Sequence, residues 1–245
     1  MKFIPVHTRV FSPPQDDIYK LLTESLPLLQ EGDVVFITSK IVSIHQGRCV
    51  KKDTGVNKED LVKQEAEQYL SGSNNSAGVP LTIKGHTLIP AAGIDESNAN
   101  GYYILWPEKI NETAEEFCRW LKAKYSLEKL AVVITDSHTI PLRWGVVGIS
   151  IGFYGLRPLK DYRGIPDIFG RQLKMTQVNV VDALSTMATL LMGEGAEQTP
   201  LVILRGADFV EFSDKAVYNE LIIPPGMDLY APLLKVFDKK DSFLN

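Results

Sequence analysis

The chain has 245 residues, of which 44% are hydrophobic and 23% are charged, so it has the composition of an ordinary globular protein with room for one large domain or two small ones sharing a core. Its formal net charge of -4 argues against a general nucleic-acid partner, which usually needs a basic face. The sequence lacks the run of roughly 20 apolar residues that spans a membrane and the apolar start of a signal peptide, so we expect a cytoplasmic protein without a membrane partner.

The first half of the chain predicts two helices, a long strand and a short one. Residues 16–29 begin with acidic side chains and then place apolar residues on one face, which predicts a helix. Residues 33–45 are β-branched and apolar, which predicts a buried strand with a polar break at 38–40. Residues 58–70 are charged and free of glycine, which predicts a surface helix, and 88–94 predict a strand that ends in a polar turn.

The second half predicts further elements of both kinds. Residues 114–125 have the apolar face of a helix, and 130–134 and 146–154 are apolar strands. The strongest helix pattern covers 178–192, and 200–204 predict a last buried strand. Because helices and strands mix without strict alternation, an α+β fold is favoured over a doubly wound parallel sheet.

Acidic side chains follow two of these predicted strands. Asp136 and Ser137 come after the strand at 130–134, and Asp95 and Asn98 follow the strand at 88–94. Carboxylates beside hydroxyls suit Mg²⁺ and Mn²⁺, which prefer oxygen ligands. The structural alternative at each position is a turn or a helix cap. Two such sites in one chain favour a shared metal site.

Residues 137–175 are the most basic part of the chain. They contain six Arg or Lys residues, Arg143 among them, against two Asp residues, and several glycines that allow a ligand to approach the backbone. This pattern predicts a pocket for an anion, and a solvated basic surface is the alternative. Lys40, inside an apolar run, needs either a carboxylate or a bound phosphate as its partner.

Two further features are open to a structural interpretation. Gly193 and Glu194 follow the helix at 178–192, where an ordinary helix C-cap with a surface acid is the alternative to a ligand site. Cys49 and Cys118 form no metal-ligand or disulfide pattern, which predicts reduced thiols. The two common phosphate-loop motifs are absent from the sequence.

Several sequence blocks in a fixed order make the chain resemble the coenzyme F-420-0:L-glutamate ligase family along nearly its whole length. The blocks are 37–43, 46–48, 92–98, 134–137, 161–164, 167–171, Asp182, 192–194 and 200–206. The resemblance implies an α+β fold with mixed, largely antiparallel sheets and packed helices. We expect one ligase unit over 1–245, with two intertwined subdomains sharing the site as the alternative, and 207–245 as a C-terminal extension packed on the core.

The same resemblance implies a reaction. GTP and two divalent ions, Mg²⁺ or Mn²⁺, are the expected cofactors, and a homodimer is the expected assembly. The γ-phosphoryl group of GTP passes to the carboxylate of an anionic acceptor, which gives an acyl phosphate. The amine of L-glutamate then displaces the phosphate to form an amide.

Individual roles are carried over from the family pattern. Asp95 and Asp136 resemble ligands of the first metal, and Ser137 and Glu194 resemble ligands of the second. Asp95, Asp136 and Arg143 form the predicted catalytic set. The residues that resemble nucleotide contacts are Arg9, Val10, Phe11, Ser12, Ser39, Lys40, Asn98, Met192, Gly193 and Gly195.

The chain departs from the family pattern near the acceptor. Residues 138–143 differ from the usual sequence, Ile44 replaces a lysine, Gln46 replaces a glutamate, and 89–92 lack the usual Cys-Ala-Asn. Three alternatives to the ligase therefore stay open: a relative that ligates an amino acid to another acid, a nucleotide-binding protein without turnover, and a metal-dependent phosphohydrolase. The retained acids favour catalysis over passive binding.

Overall fold

The computed structural model describes residues 1–237. The β-strands in this range are β1 (Lys2–Val6), β2 (Asp33–Thr38), β3 (Cys49–Lys51), β4 (Gln68–Leu70), β5 (Leu81–Lys84), β6 (Thr87–Pro90), β7 (Tyr102–Ile104), β8 (Leu130–Thr139), β9 (Val146–Leu156), β10 (Leu159–Asp161), β11 (Gln177–Asn179), β12 (Leu201–Arg205) and β13 (Phe212–Ser213). The α-helices are α1 (Ile18–Ser25), α2 (Ser39–His45), α3 (Lys58–Glu65), α4 (Ile110–Tyr125), α5 (Val180–Met192) and α6 (Ala231–Leu234).

A central sheet with helices on both faces forms the core. Its strand order within residues 1–237 is β1-β12-β2-β8-β9-β13, and β2 with β8 is the parallel pair among antiparallel neighbours. Alternate residues of β2 face opposite sides, so Val35 and Ile37 pack with α1, α2 and α4, whereas Val34 and Phe36 pack with α5. Burial on both faces explains why this strand is continuously apolar in sequence.

Smaller sheets are added to this core. β4, β5 and β6 form an antiparallel sheet, β3 pairs with β7, and β10 pairs with β11. The mixture of helices with largely antiparallel sheets confirms the predicted α+β fold. None of the helices in residues 1–237 has the length and apolarity needed to cross a bilayer.

The prediction of one strand over 33–45 is wrong in its second half. β2 ends at Thr38, and α2 begins at Ser39. α2 buries Ile41, Val42 and Ile44 and also two serines, so its sequence shows no polar face. A short helix buried on several sides has the same apolar run as a buried strand, and periodicity does not separate the two.

Other boundaries also differ from the prediction. The helix predicted at 58–70 ends at Glu65, because Gln68–Leu70 pairs with β5 as a strand. β8 continues to Thr139, so Asp136 lies inside the strand rather than after it. α5 ends at Met192 with Gly193 as its C-cap, as the structural alternative for this position expected.

The predicted extension at 207–245 is described up to residue 237. Within it, β13 pairs with β9 at the edge of the central sheet, and Phe237 is buried. Residues 238–245 lie outside the described residues. The division into one unit or two intertwined subdomains stays a prediction.

An ion pair fixes the start of β2. The Asp33 side chain is 0% exposed, and its two oxygens accept hydrogen bonds of 2.8 and 2.7 Å from the Arg205 guanidinium on β12. The Gln30 amide also donates to Asp33 at 2.8 Å. A buried carboxylate is stable only while such partners are present, so this pair ties neighbouring strands together.

We expect Arg205→Met to lower the free energy of unfolding by about 3 kcal/mol, because it leaves the buried Asp33 carboxylate without its cation. Arg157→Met is the matched control, since Arg157 pairs with the more exposed Glu211 and Glu220. The control should change the free energy by less than about 1 kcal/mol. Urea unfolding at pH 7 measures both, and equal losses would contradict the assigned role of Asp33.

Candidate functional site

A cavity of about 430 Å³ opens where the parallel strands β2 and β8 reach the same edge of the sheet. Thr38, the last residue of β2, pairs with Thr135 of β8, and the chain then continues into α2 on one side and to Asp136 on the other. The carboxyl ends of parallel strands commonly present functional groups in this way. The loops around residues 8–11, 93–98 and 193–200 complete the wall.

Asp136 lies within this cavity as a partly buried carboxylate. One oxygen accepts a hydrogen bond from the indole N–H of Trp106, and the other accepts one of 2.8 Å from the Ser137 amide. Burial raises the pKa of Asp136 to about 6 and the nearby charge of Asp95 also raises it, although these hydrogen bonds act in the opposite direction. Asp136 forms no ion pair with a side chain in residues 1–237, so its ionised form has no cationic partner there.

Asp95 has a cationic partner. The Lys40 ammonium lies 2.6 Å from its carboxylate and also donates a 2.9 Å hydrogen bond to the Ser97 carbonyl. Burial acts to raise the pKa of Asp95, but Lys40 and hydrogen bonds from Ser97 outweigh it, so this pKa is lowered. A carboxylate and a bound phosphate were the two partners predicted for Lys40, and in the structure its partner is the Asp95 carboxylate.

The four predicted metal ligands, Asp95, Asp136, Ser137 and Glu194, all line this cavity. Asp95 and Asp136 are close enough for their charges to interact, whereas Glu194 is exposed on the loop after α5. Across residues 1–237, no group of three or more His, Cys, Asp or Glu side chains is arranged tightly enough to hold a metal ion. The oxygen donors, including an Asp136 carboxylate that has no cationic partner in residues 1–237, fit a hard cation, and the assignment of individual ligands stays a prediction.

Most of the predicted nucleotide contacts surround the same cavity. Those that line it are Arg9, Val10, Phe11, Ser39, Lys40, Asn98, Met192, Gly193 and Gly195. The Asn98 side-chain amide donates a 2.7 Å hydrogen bond to the Gly195 carbonyl, which links two of the loops that line the cavity. Ser12 is not part of the lining, and its amide donates to Asp16 at 3.3 Å.

The basic segment does not converge on one pocket. Arg143 is exposed in the turn between β8 and β9 and does not line this cavity. Arg163 pairs with Asp161 at 2.6 Å, and Arg157 pairs with Glu211 at 2.9 Å. The cations of 137–175 are therefore distributed over separate ion pairs and exposed turns, and the catalytic role of Arg143 stays a prediction.

A second cavity of about 800 Å³ lies on the other side of Trp106. Among the described residues, Trp106 is the one that lines both cavities, and the second also contains His138 of β8 and Lys109 at the start of α4. Burial lowers the pKa of His138. Trp106 carries no functional signal in the sequence, where it is an aromatic residue at the end of the apolar run 102–106.

The family profile and the similar proteins that match this chain are all described as glutamate ligases of coenzyme F420. The sequence profile described as F420-0:Gamma-glutamyl ligase matches residues 8–206. The chain is 33% identical to the coenzyme F420:L-glutamate ligase of Methanopyrus kandleri, with 93% of this chain and 95% of that protein covered. It is 32% identical to the protein of the same name from Methanosarcina mazei, with 92% and 93% covered.

A third relative with that name, from Methanocaldococcus jannaschii, is 30% identical over 82% of this chain and 86% of its own length. The profile match spans the cavity residues from Arg9 to Pro200, so the similarity includes the site as well as the sheet. The chain therefore belongs to the F420-0:gamma-glutamyl ligase family.

Proposed function

We propose that the protein is a GTP- and divalent-metal-dependent ligase that joins L-glutamate to a carboxylate acceptor. The observation that carries this proposal is the convergence of Asp95, Asp136 and Lys40 in one cavity at the carboxyl ends of β2 and β8. Two acids and an ammonium group suit a nucleotide whose phosphates bind together with cations. The relatives are named coenzyme F420:L-glutamate ligases, so we propose L-glutamate as the amine substrate and coenzyme F420 precursors as the first acceptors to test.

The proposed reaction has two steps. The acceptor carboxylate attacks the γ-phosphorus of GTP, a bond to the β–γ bridging oxygen breaks, and GDP leaves. The glutamate amine then attacks the acyl carbon, phosphate leaves with the bonding electron pair, and the amine loses its proton. When bound, divalent cations supply charge neutralisation on the phosphoryl oxygens.

The side chains of the cavity have separate tasks in this proposal. Lys40, which pairs with Asp95 in this structure, would donate to a phosphate oxygen of the bound nucleotide. Asn98 holds the loop around Gly195 against the loop that carries Asp95, so the two loops would contact the nucleotide together. Ile41 and Trp106 are buried apolar side chains in the cavity wall, and in this proposal they limit the access of water to an acyl phosphate.

The proposal extends to a homodimer in the cytoplasm. Apolar side chains are almost fully exposed in the region between β8 and β11, where Trp144 is 104% and Ile168 is 91% exposed. Leu142, Phe169 and Met175 in the same region are similarly exposed. Such a concentration of apolar surface is typical of a contact with another chain. Both cysteines are free, in keeping with a reducing compartment.

We expect the wild-type protein to release GDP from GTP with Mn²⁺ when both L-glutamate and the precursor F420-0 are present. Asp136→Asn should lower this rate by roughly a thousandfold, which corresponds to ~4 kcal/mol of lost transition-state stabilisation. Asp53→Asn is the matched control, because Asp53 is an exposed carboxylate paired with Lys51 outside the cavity. The control should keep its rate within about twofold.

Each other result of this assay favours a different function. Release of GDP without glutamate and acceptor indicates a phosphohydrolase. Nucleotide binding without release indicates a binding protein, and activity with another acid indicates a relative of different acceptor specificity. Unchanged turnover in Asp136→Asn would exclude the proposed site.

We expect the double substitution Ile168→Asp, Phe169→Asp to convert the dimer to a monomer, because it places two charges in the apolar surface between β10 and β11. Sedimentation velocity measures the change in mass. Leu28→Asp is the control, since Leu28 is 74% exposed elsewhere on the molecule and should leave the mass unchanged. A wild-type monomer would contradict the proposed assembly.

A further inference from the structure

Trp106 separates the nucleotide cavity from the second cavity. It is 2% exposed, and its position depends on the neighbouring backbone rather than on packing alone. Its carbonyl accepts a 3.2 Å hydrogen bond from the Arg48 guanidinium, which pairs with Glu65 at 2.7 Å. The Leu105 amide before it donates to the Arg48 carbonyl at 2.9 Å. Two hydrogen bonds to Arg48, one at the Leu105 amide and one at the Trp106 carbonyl, therefore fix the backbone from which the Trp106 side chain extends.

The indole ring lies in a slot that glycine leaves open. A Cβ atom at Gly93 would overlap the indole nitrogen and its neighbouring carbons, and Gly93 has a φ of +72°, which other residues rarely adopt. A Cβ atom at Gly85 would be 3.5 Å from the far side of the ring, at ordinary contact distance. Because the ring lies in this slot, its indole N–H donates to the Asp136 carboxylate.

Both oxygens of the Asp136 carboxylate are held by donors. Trp106 donates to one and the Ser137 amide donates to the other, at 2.8 Å in the second case. A carboxylate with two such bonds does not rotate freely, so its remaining lone pairs point in fixed directions. Gly93, which accommodates the indole, lies two residues before Asp95. The indole therefore sets the orientation of one acid and contacts the loop that carries the other.

We propose that Trp106 is a positioning residue, whose indole N–H orients the Asp136 carboxylate toward a divalent cation. This inference rests on the proposed cation-binding role of Asp136. Hydrogen bonds from neighbours to ligating carboxylates contribute about 10- to 100-fold to metal affinity in other sites. A tryptophan that only filled space would act on stability and leave the metal affinity unchanged.

The first experiment measures binding of Mn²⁺ alone by calorimetry. Trp106→Phe keeps an aromatic ring and removes the donor, and we expect it to weaken Mn²⁺ binding about tenfold. In the Asp136→Asn background the same substitution should have no further effect, because the carboxylate on which it acts is gone. Trp120→Phe is the control: Trp120 packs against Tyr19 and does not line the cavity, so Mn²⁺ affinity should stay unchanged.

A second measurement does not depend on how well the Phe variant folds. The chain has three tryptophans, whose indole N–H groups give separate signals after labelling with nitrogen-15. We expect the Trp106 signal downfield in the wild type and shifted upfield in Asp136→Asn, where the charge-assisted hydrogen bond is weakened. Added Mn²⁺ should broaden this signal before that of Trp120.

The results separate this inference from the proposed ligase. A Trp106 signal that does not respond to Asp136→Asn, an equal loss of affinity in both backgrounds, or a wild type that binds no Mn²⁺ would overturn it. If Mn²⁺ binding depends on Trp106 as described while no acceptor yields glutamate-dependent GDP release, the ligase proposal fails and the positioning role stands.

Discussion

The confinement of negative charge at the edge of the central sheet is the constraint on which the rest of the site depends. Asp95 and Asp136 come from distant parts of the chain and interact within one cavity. Two carboxylates brought together out of water repel each other unless positive charge is added. Lys40 provides that charge to Asp95, and Asp136 relies on neutral donors. Asp136 is therefore left without a cationic side-chain partner among residues 1–237, and this is why we propose a bound cation there.

The fold explains how two such acids meet. β2 and β8 are the parallel pair within the otherwise antiparallel central sheet of residues 1–237, and their pairing ends at the cavity with Thr38 and Thr135. β2 then turns directly into α2, which carries Ser39 and Lys40, and β8 continues with Asp136. Asp95 arrives from outside the sheet on a loop next to β7, with which it forms an isolated bridge at Ile104. The central sheet thus provides Asp136, and the loop next to β7 provides Asp95.

The sequence alone predicted much of this arrangement. The apolar runs located the core strands, and the two acids singled out near them, Asp95 and Asp136, line one cavity, while their role as metal ligands stays a prediction. The α2 helix was missed, since it is short and buried on several sides. The relation between Asp95 and Lys40 was not visible either, because it depends on how the β3–β7 region folds against α2, and no local pattern records that contact.

Trp106 shows why site residues of this kind escape sequence analysis. An aromatic residue at the end of an apolar run has the same sequence pattern whether it only packs in the core or also donates a hydrogen bond to a carboxylate. The distinction lies in Gly93, whose missing side chain allows the ring to approach and whose positive φ sets the loop that leads to Asp95. The indole N–H then reaches the Asp136 carboxylate across this glycine. Since the orientation of a metal-binding acid depends on its hydrogen-bond donors, a change in the donors preserves the acid itself while altering how it holds a cation.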